Sequence, residues 1–456
     1  MNQRSESISP TNWLTLAITL NTSILAFDSL AVATVAPQIT EQLGSRGLYG
    51  WIFSIFFLAS ILGTILSGQL SDNNGPRRPI SWGFAIFTLG LLSSGVAGSM
   101  PVFLIGRALQ GFGSGLIMTA LHVVVNLSYP DSERSGVFKW MAAGWTIPAL
   151  LGPVIATYIT ALVSWRLIYT GLIPLTCLVA AIIVPKVTLV EHSTKQKSQV
   201  SAALSVVVGA ALLLTSPSLD VLWQSLLLAA GGLGLGYKGL KSLLIPGTFS
   251  FRRGLPIAII VHGLVFSAFS VVEAYLALAI SETFEFPTWS VGVIIGVSSF
   301  AWVSGSWLQD ALDKRDTSSQ QRQRRALLGI VALIAGLSIQ VAAFSTSIFP
   351  ILSLLVGGIV AGVGVGLSHT ASLMLVHKFT PKGDEGKASA AMMLYEQLAF
   401  SLCVGAAGTF LSLTSAQIPK SDRILTIFLF AIGIAIFALL VSPRLTKPTF
   451  KVFAGE

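Results

Sequence analysis

The chain has 456 residues, of which 53% are hydrophobic and only 10% charged; a water-soluble domain carries about 25% charged residues, so an ordinary soluble protein of this size is excluded. The net charge of +9 would suit a nucleic-acid surface if it were clustered among polar and aromatic residues, but the basic residues sit in short loops between apolar runs, which excludes that class. Cys177 and Cys403, each deep in an apolar run, exclude a disulfide framework and a CxxC metal or redox site, and read as small packing residues.

From the N-terminus, Met1 to Thr11 is polar, and the first apolar run holds Asp28. A run of about 25 residues with an acid inside it is no signal peptide, so it reads as a retained first span. A span needs about 20 mostly apolar residues. Candidates follow at 13–37, 48–71, 79–98, 101–127, 136–160 and 166–185. After a polar stretch from Glu191 to Gln199 come 201–216 and 220–238, parted by Pro217 and read as a tight hairpin. Six more lie at 255–280, 289–309, 326–346, 350–376, 388–413 and 424–442. The order is six, two and six, fourteen in all.

With the N-terminus in the cytoplasm, only Arg46, Arg166, Lys420 and Arg423 fall outside and Arg107 within a span; every other Lys and Arg is cytoplasmic. This satisfies the positive-inside rule, and the C-terminus is then cytoplasmic too. Treating 201–238 as one span would put Arg315, Arg322, Arg324 and Arg325 outside. A twelve-span version with the hairpin on the surface keeps the same sidedness. Trp13, Trp51, Trp140, Trp165 and Trp289 fall near span ends, where indole rings favour the interface. The 43 glycines suit close helix approach. Any chemistry must therefore occur within the membrane or at its surface.

The loop after span two reads GQLSDNNGPRR from Gly68, with Leu70, Asp72, Gly75, Arg77 and Arg78 at fixed places. Gly68 would admit a neighbouring helix, Asp72 can face a helix N-terminus, Gly75 permits the turn, and the arginines hold the loop inside. The run resembles, position for position, the signature loop G-x-L-x-D-x-x-G-x-R/K-R/K of the major facilitator superfamily. Three further runs resemble its fourteen-span drug:proton antiporters. In span one, FDSLAVATVAP from Phe27 to Pro37 places Asp28 ahead of an Ala-Pro end, a small departure from the Ala-Leu-Pro-like pattern. In span four, Arg107, Gln110, Gly111 and Gly113 match R-x-x-Q-G-x-G. In span five, Gly144, Pro148, Gly152 and Pro153 match the antiporter motif, and Trp165-Arg166 opens span six as in fourteen-span members.

The resemblance implies an all-α membrane protein of two six-helix bundles plus a two-helix insertion. The bundles would span 12–185 and 254–443, with the linker and hairpin over 186–253 and a cytoplasmic tail over 444–456. It implies a proton-coupled antiporter of the cell membrane that exports small lipophilic or cationic compounds by alternating access, with no cofactor or metal and as a functional monomer. Its partners would be the small-molecule substrate, protons and membrane lipid. Uptake or facilitated diffusion of a metabolite or lipid on the same fold is the alternative. An intramembrane enzyme is remote, because no HExxH, acidic metal cluster or phosphate-binding Gly-rich loop is present in the sequence.

Buried charge agrees with that reading. An acid or arginine at mid-helix costs about 2.5–3.5 kcal/mol on insertion scales and needs a partner or a wet cavity. A carboxyl group held from water takes up a proton more readily, so Asp28 suits proton binding. By helical rise, Asp28 and Arg107 lie ~13 and ~9 Å below the outer ends of their spans, and could meet. In the second half, the signature loop has a degenerate copy from Gly305 to Arg315, with Gln309 at the place of Asp72. Glu273 lies ~10 Å from its outer end, a second proton or cation candidate unless Tyr275 or a serine keeps it neutral. Glu396 lies ~12 Å from its inner end, and reads equally as a site residue or a packed one. His122, His262 and His369 can relay protons, His122 and His369 with Glu396 being the relay candidates. No carboxylate is spaced with them as a metal motif, and Gly362, Gly364 and Gly366 read as a packing face.

Overall fold

The computed structural model describes residues 10–187, 199–219, 221–346, 349–414 and 417–445. The first nine residues, the linker stretch 188–198 and the tail beyond 445 lie outside them. Among the described residues all regular structure is helical, as lipid demands of a chain that must satisfy its own backbone. The first block holds α1 (Pro10–Gln42), α2 (Trp51–Asn74), α3 (Arg77–Gly95), α4 (Met100–Ser128), α5 (Asp131–Ala143), α6 (Thr146–Leu162) and α7 (Arg166–Lys186). The hairpin is α8 (Val200–Thr215) and α9 (Leu222–Leu243). The second block holds α10 (Leu255–Thr283), α11 (Thr288–Asp313), α12 (Ser319–Thr346), α13 (Pro350–Phe379), α14 (Glu385–Leu413) and α15 (Lys420–Val441).

Helices α5 and α6 form one span, broken where Gly144 ends α5 and its amide turns back to the carbonyl of Trp140. A side chain there would meet the carbonyl of Thr19, 2.9 Å from a Cβ, and Ser23 Oγ donates to the Gly144 carbonyl at 2.8 Å. Glycine thus lets the bend lie against α1. Among the described residues, counting α5 and α6 together, 12 helices are long and apolar enough to cross a membrane; α3 and α9 fall outside these 12 and bring the long helices to fourteen.

Within each bundle, a glycine ladder on the fourth helix lets its neighbours touch backbone to backbone. Gly111 and Gly115 of α4 face the carbonyls of Phe56 and Ser60, while Gly362 and Gly366 of α13 face those of Ser298 and Trp302. The two ladders are thus in the same register, and the glycine run of α13 is the packing face expected of it. Helix α8 packs on α9 through Gly209, whose Cβ would lie 2.6 Å from the Gly232 carbonyl. The remaining faces of α9 expose Leu222, Trp223, Leu226 and Leu233, as a lipid-facing span should. Helix α8 in turn touches both α2 and α14. Thr409 donates to the Leu214 carbonyl at 3.2 Å.

The bundle ends carrying Arg77, Arg78, Arg322 and Arg325 form a basic face; the opposite, far face carries Gln42, Leu162 and Thr283. Direct ties between the bundles lie toward the far face. Tyr49 donates to the Ala274 carbonyl at 2.8 Å, Ser54 to that of Ser401 at 2.8 Å, and Ser401 back to that of Ser54 at 3.0 Å. There α2 and α14 meet glycine on glycine: a Cβ on Gly408 would lie 2.7 Å from Gly50 Cα. On the other side of the seam, Gly292 of α11 faces Pro153 and Thr157 of α6.

Tryptophan placement is only partly interfacial. Trp13, Trp140 and Trp289 are exposed, whereas Trp165 is buried. Its indole N–H has a partner inside the protein, Gln42 Oε1 at 2.8 Å, and its ring packs edge-on against Phe103 and under the Arg166 guanidinium.

Candidate functional site

The first site residues come from α1 and α4. Asp28 and Arg107 are each 1% exposed, and Arg107 Nη1 donates to Asp28 Oδ2 at 2.9 Å. The same nitrogen donates to Gln110 Oε1, whose amide nitrogen reaches Ser94 Oγ at 3.1 Å. Arg107 Nε donates to the Ile52 carbonyl at 3.3 Å, and the guanidinium lies 4.4 Å from the centre of the Phe56 ring. The arginine is therefore held by four neighbours, from α1, α2 and α4. Asp28 keeps one oxygen, Oδ1, without a hydrogen-bond partner among the described residues.

The second bundle repeats this geometry with one change. Gly111 and Gly362 occupy the same rung of the ladder, as do Gly106 and Gly357, which face Ser94 and Gln340. By this register, Gly358 stands where Arg107 stands in the first bundle. Glu273, eighteen positions into α10 as Asp28 is into α1, is buried beside Ser298 with no arginine. Among the described residues both amide atoms of Gln340 lack partners, and Ser298 Oγ is the polar group set beside the Glu273 carboxyl to bond it. Of the neighbours expected to hold it neutral, Tyr275 bonds elsewhere, its hydroxyl donating to the Val404 carbonyl at 2.7 Å, and the serine is Ser298. One bundle thus holds a paired carboxylate, and the other an unpaired one.

Nearer the basic face, Glu396 of α14 meets two histidines from other helices. His262 Nε2 lies 2.8 Å and His369 Nε2 3.3 Å from Glu396 Oε2, and the imidazoles stack with centres 3.8 Å apart. Phe266 and Trp302 border His369, and Phe400 bridges Phe266 to Phe57 of the first bundle. These side chains make a half-buried aromatic wall beside a carboxylate, a surface suited to flat apolar or cationic groups. His122 does not join this group; its Nδ1 lies 2.7 Å from the Met118 carbonyl and its ring stacks on Phe138. His262 was absent from the relay candidates, because only the fold reveals that residues 107 and 27 positions from His369 share its surroundings.

The signature loop stands open. Gly75 caps α2 at φ 75°, the turn conformation that glycine supplies. Asp72 and Arg78 are exposed. Gly68, expected to admit a neighbouring helix, has no atom near the place of a Cβ; at that level α2 is held by α4 on its other face, where Ser67 donates to the Leu116 carbonyl at 2.8 Å, and the bundles meet toward the far face. In the second bundle, Gln309 at the corresponding place is buried, and Asp313 pairs with Arg322 and with Arg325 at 3.4 Å. The antiporter-motif residues fall at helix contacts. Pro148 and Gly152 line an open apolar groove of about 290 Å³ together with Phe27 and the exposed Ile147 and Leu178, and the Pro153 carbonyl lies 2.7 Å from a Cβ on Gly292.

Among solved structures, a D-xylose-proton symporter shares the fold, with a TM-score of 0.70 over 97% of this chain and 99% of that one at 16% identity. An "Acurin A biosynthesis cluster MFS-type transporter" of Aspergillus aculeatus is 37% identical over 34% of this chain and 28% of that protein. "Multidrug resistance protein 3" of Bacillus subtilis is 27% identical over 43% of this chain and 39% of that protein. The chain thus aligns with less than half the length of each of these two relatives. The family model described as Major Facilitator Superfamily matches residues 18–403. With the fold, the signature loop and that match in agreement, the chain belongs to the Major Facilitator Superfamily.

Proposed function

We propose that this chain is a secondary active transporter of the cell membrane, a carrier and not an enzyme, that exports small lipophilic or cationic compounds in exchange for protons. It works by alternating access as a monomer, with both termini in the cytoplasm. The observation that carries this reading is the pair of unequal buried carboxylates, Asp28 tied to Arg107 and Glu273 with no cation beside it. A buried acid without a partner is costly when ionised, so it exchanges protons as its access to water alternates. Arg107 keeps its charge and fixes Asp28, and Glu273 supplies the variable charge.

With the basic face cytoplasmic, bundles tied toward the far face describe a carrier open to the inside. The exposure of Asp72 and Arg78 fits that state: Asp72 with Gly68, Gly75, Arg77 and Arg78 forms a latch that engages α14 when the inner side closes. Gly144, Pro148, Gly152 and Pro153 shape the helix on which the bundles rock. The aromatic wall and the apolar groove beside Phe27 support lipophilic cargo, and two of the relatives' names speak of transport and drug resistance in those proteins.

The test is export of a fluorescent lipophilic cation by everted vesicles with an imposed pH gradient. Export should stop when an ionophore collapses the gradient, and in Asp28→Asn and Glu273→Gln variants that still fold. Export that persists at the parent rate without the gradient, or in both variants, refutes proton coupling through these acids. Cargo accumulating in the opposite direction favours uptake.

A further inference from the structure

The His262, His369 and Glu396 cluster has the makings of a metal site. Three helices supply one ligand atom each: His262 Nε2 from α10, His369 Nε2 from α13 and Glu396 Oε2 from α14, all within 4.8 Å of one another. Two ligands sharing a tetrahedral ion at about 2.0–2.1 Å stand about 3.3 Å apart. The His369 to Glu396 separation is already 3.3 Å, the 2.8 Å between His262 and Glu396 needs to open by about half an ångström, and the imidazoles, stacked 3.8 Å apart, must tilt so that both Nε2 atoms point at one ion.

The surroundings orient the ligands. His262 Nδ1 lies 3.1 Å from the His369 carbonyl and 3.1 Å from Ser372 Oγ. A carbonyl only accepts, so His262 Nδ1 carries a hydrogen and Nε2 is the nitrogen turned to Glu396; at 2.8 Å a hydrogen lies between Nε2 and the carboxylate, and a bound ion takes that hydrogen's place. Ser372 donates its own hydrogen to the same His369 carbonyl at 2.8 Å, so its oxygen is left to accept from the imidazole. A backbone carbonyl holding the remote nitrogen is the usual support of a metal-binding histidine. Packing fixes the carboxylate as well, since Gly263 brings α10 against α14 at Glu396, 3.2 Å from its Cα to a Cβ.

Access comes from one side. His262 is buried, but the side chains of His369 and Glu396 keep 17% and 22% of their exposure, beside the aromatic wall. An ion would therefore hold three protein ligands and leave one position open, the pattern of a reactive or exchangeable site and not of a closed structural one. Two imidazoles and one carboxylate select borderline first-row ions such as Zn²⁺ or Co²⁺ over Mg²⁺ and Ca²⁺, which prefer all-oxygen shells.

We propose that His262, His369 and Glu396 form a binding site for a zinc-like divalent transition-metal ion, reached from the cleft between the bundles. The site clamps α10, α13 and α14 together within the second bundle, and it stands independently of what the carrier exports. The experiment uses the full chain in detergent, stripped with a chelator and then titrated with ZnCl₂ by calorimetry and with CoCl₂ by visible absorption. One equivalent should bind per chain, and Co²⁺ should give the intense d–d bands of a four-coordinate ion. His369→Ala and Glu396→Gln should each weaken binding by about ten-fold or more, while His122→Ala should leave it unchanged. Circular dichroism and a single elution peak establish that each variant is folded. No stoichiometric uptake by the folded parent chain, or uptake retained at parent strength in both ligand variants, overturns the proposal and leaves the cluster a hydrogen-bonded packing group.

Discussion

Replacing Gly408 with alanine tests how the bundles are joined. The new methyl carbon would sit 2.7 Å from Gly50 Cα, 2.8 Å from Gly50 N and 2.9 Å from the Tyr275 hydroxyl. Ordinary carbon contacts are about 3.5–4.0 Å, so α2 and α14 must part by roughly 0.8–1 Å. No flexible side-chain tip can absorb this, because two of the three obstacles are backbone atoms. Overpacking of this kind costs about 1–3 kcal/mol. The cost falls only on the state in which this seam is closed, so the conformational equilibrium should move by about 5–150-fold toward the state open at the far face. The assay is electron–electron distance measurement between spin labels, after replacing Cys177 and Cys403 with serine. A far-face pair at Glu41 and Ser281 should lengthen, and a basic-face pair at Glu133 and Lys382 should shorten. Gly433→Ala is the control, as nothing stands near the place of its Cβ. Distance distributions in Gly408→Ala that match the control would refute the argument that this glycine contact holds the seam.

Two further outcomes follow from the buried charges. Asp28→Ala strands the Arg107 guanidinium and should cost about 3–5 kcal/mol, read as a lowered midpoint of thermal unfolding in detergent, whereas an Asp28→Asn, Arg107→Gln double variant should recover much of the loss. Asp313→Asn weakens the ionic contacts of Arg322 and Arg325 at the start of α12 and should cost about 2 kcal/mol; a midpoint equal to that of the parent would show that the cluster is replaced by water.

Span number and order were legible because hydropathy and charge alternate on the length scale of a bilayer. The hairpin was legible as a pair of runs, but its depth was not, since charge counting is the same for a surface hairpin. That Asp28 could meet Arg107 followed from helical rise alone, because both lie on straight stretches measured from a span end. Gly358 escaped notice for the opposite reason. A glycine among many in α13 looks like packing until the ladder is laid beside that of α4 and an arginine is found missing. The histidine cluster was hidden by distance along the chain, as no spacing rule relates three ligands on three separate helices. Trp165 was misplaced at the interface because an indole at a span end has the same pattern whether its N–H meets lipid headgroups or, as here, Gln42.

The hairpin has a mechanical role that its position imposes. Helix α8 rests on one helix from each bundle, so when α2 and α14 separate it must travel with one and slide along the other. Its companion α9 is exposed on the faces turned away from α8. Each turnover therefore drags a paddle of two helices through lipid. Membrane viscosity and acyl-chain length should set the pace of this carrier more strongly than that of a twelve-span relative without the paddle.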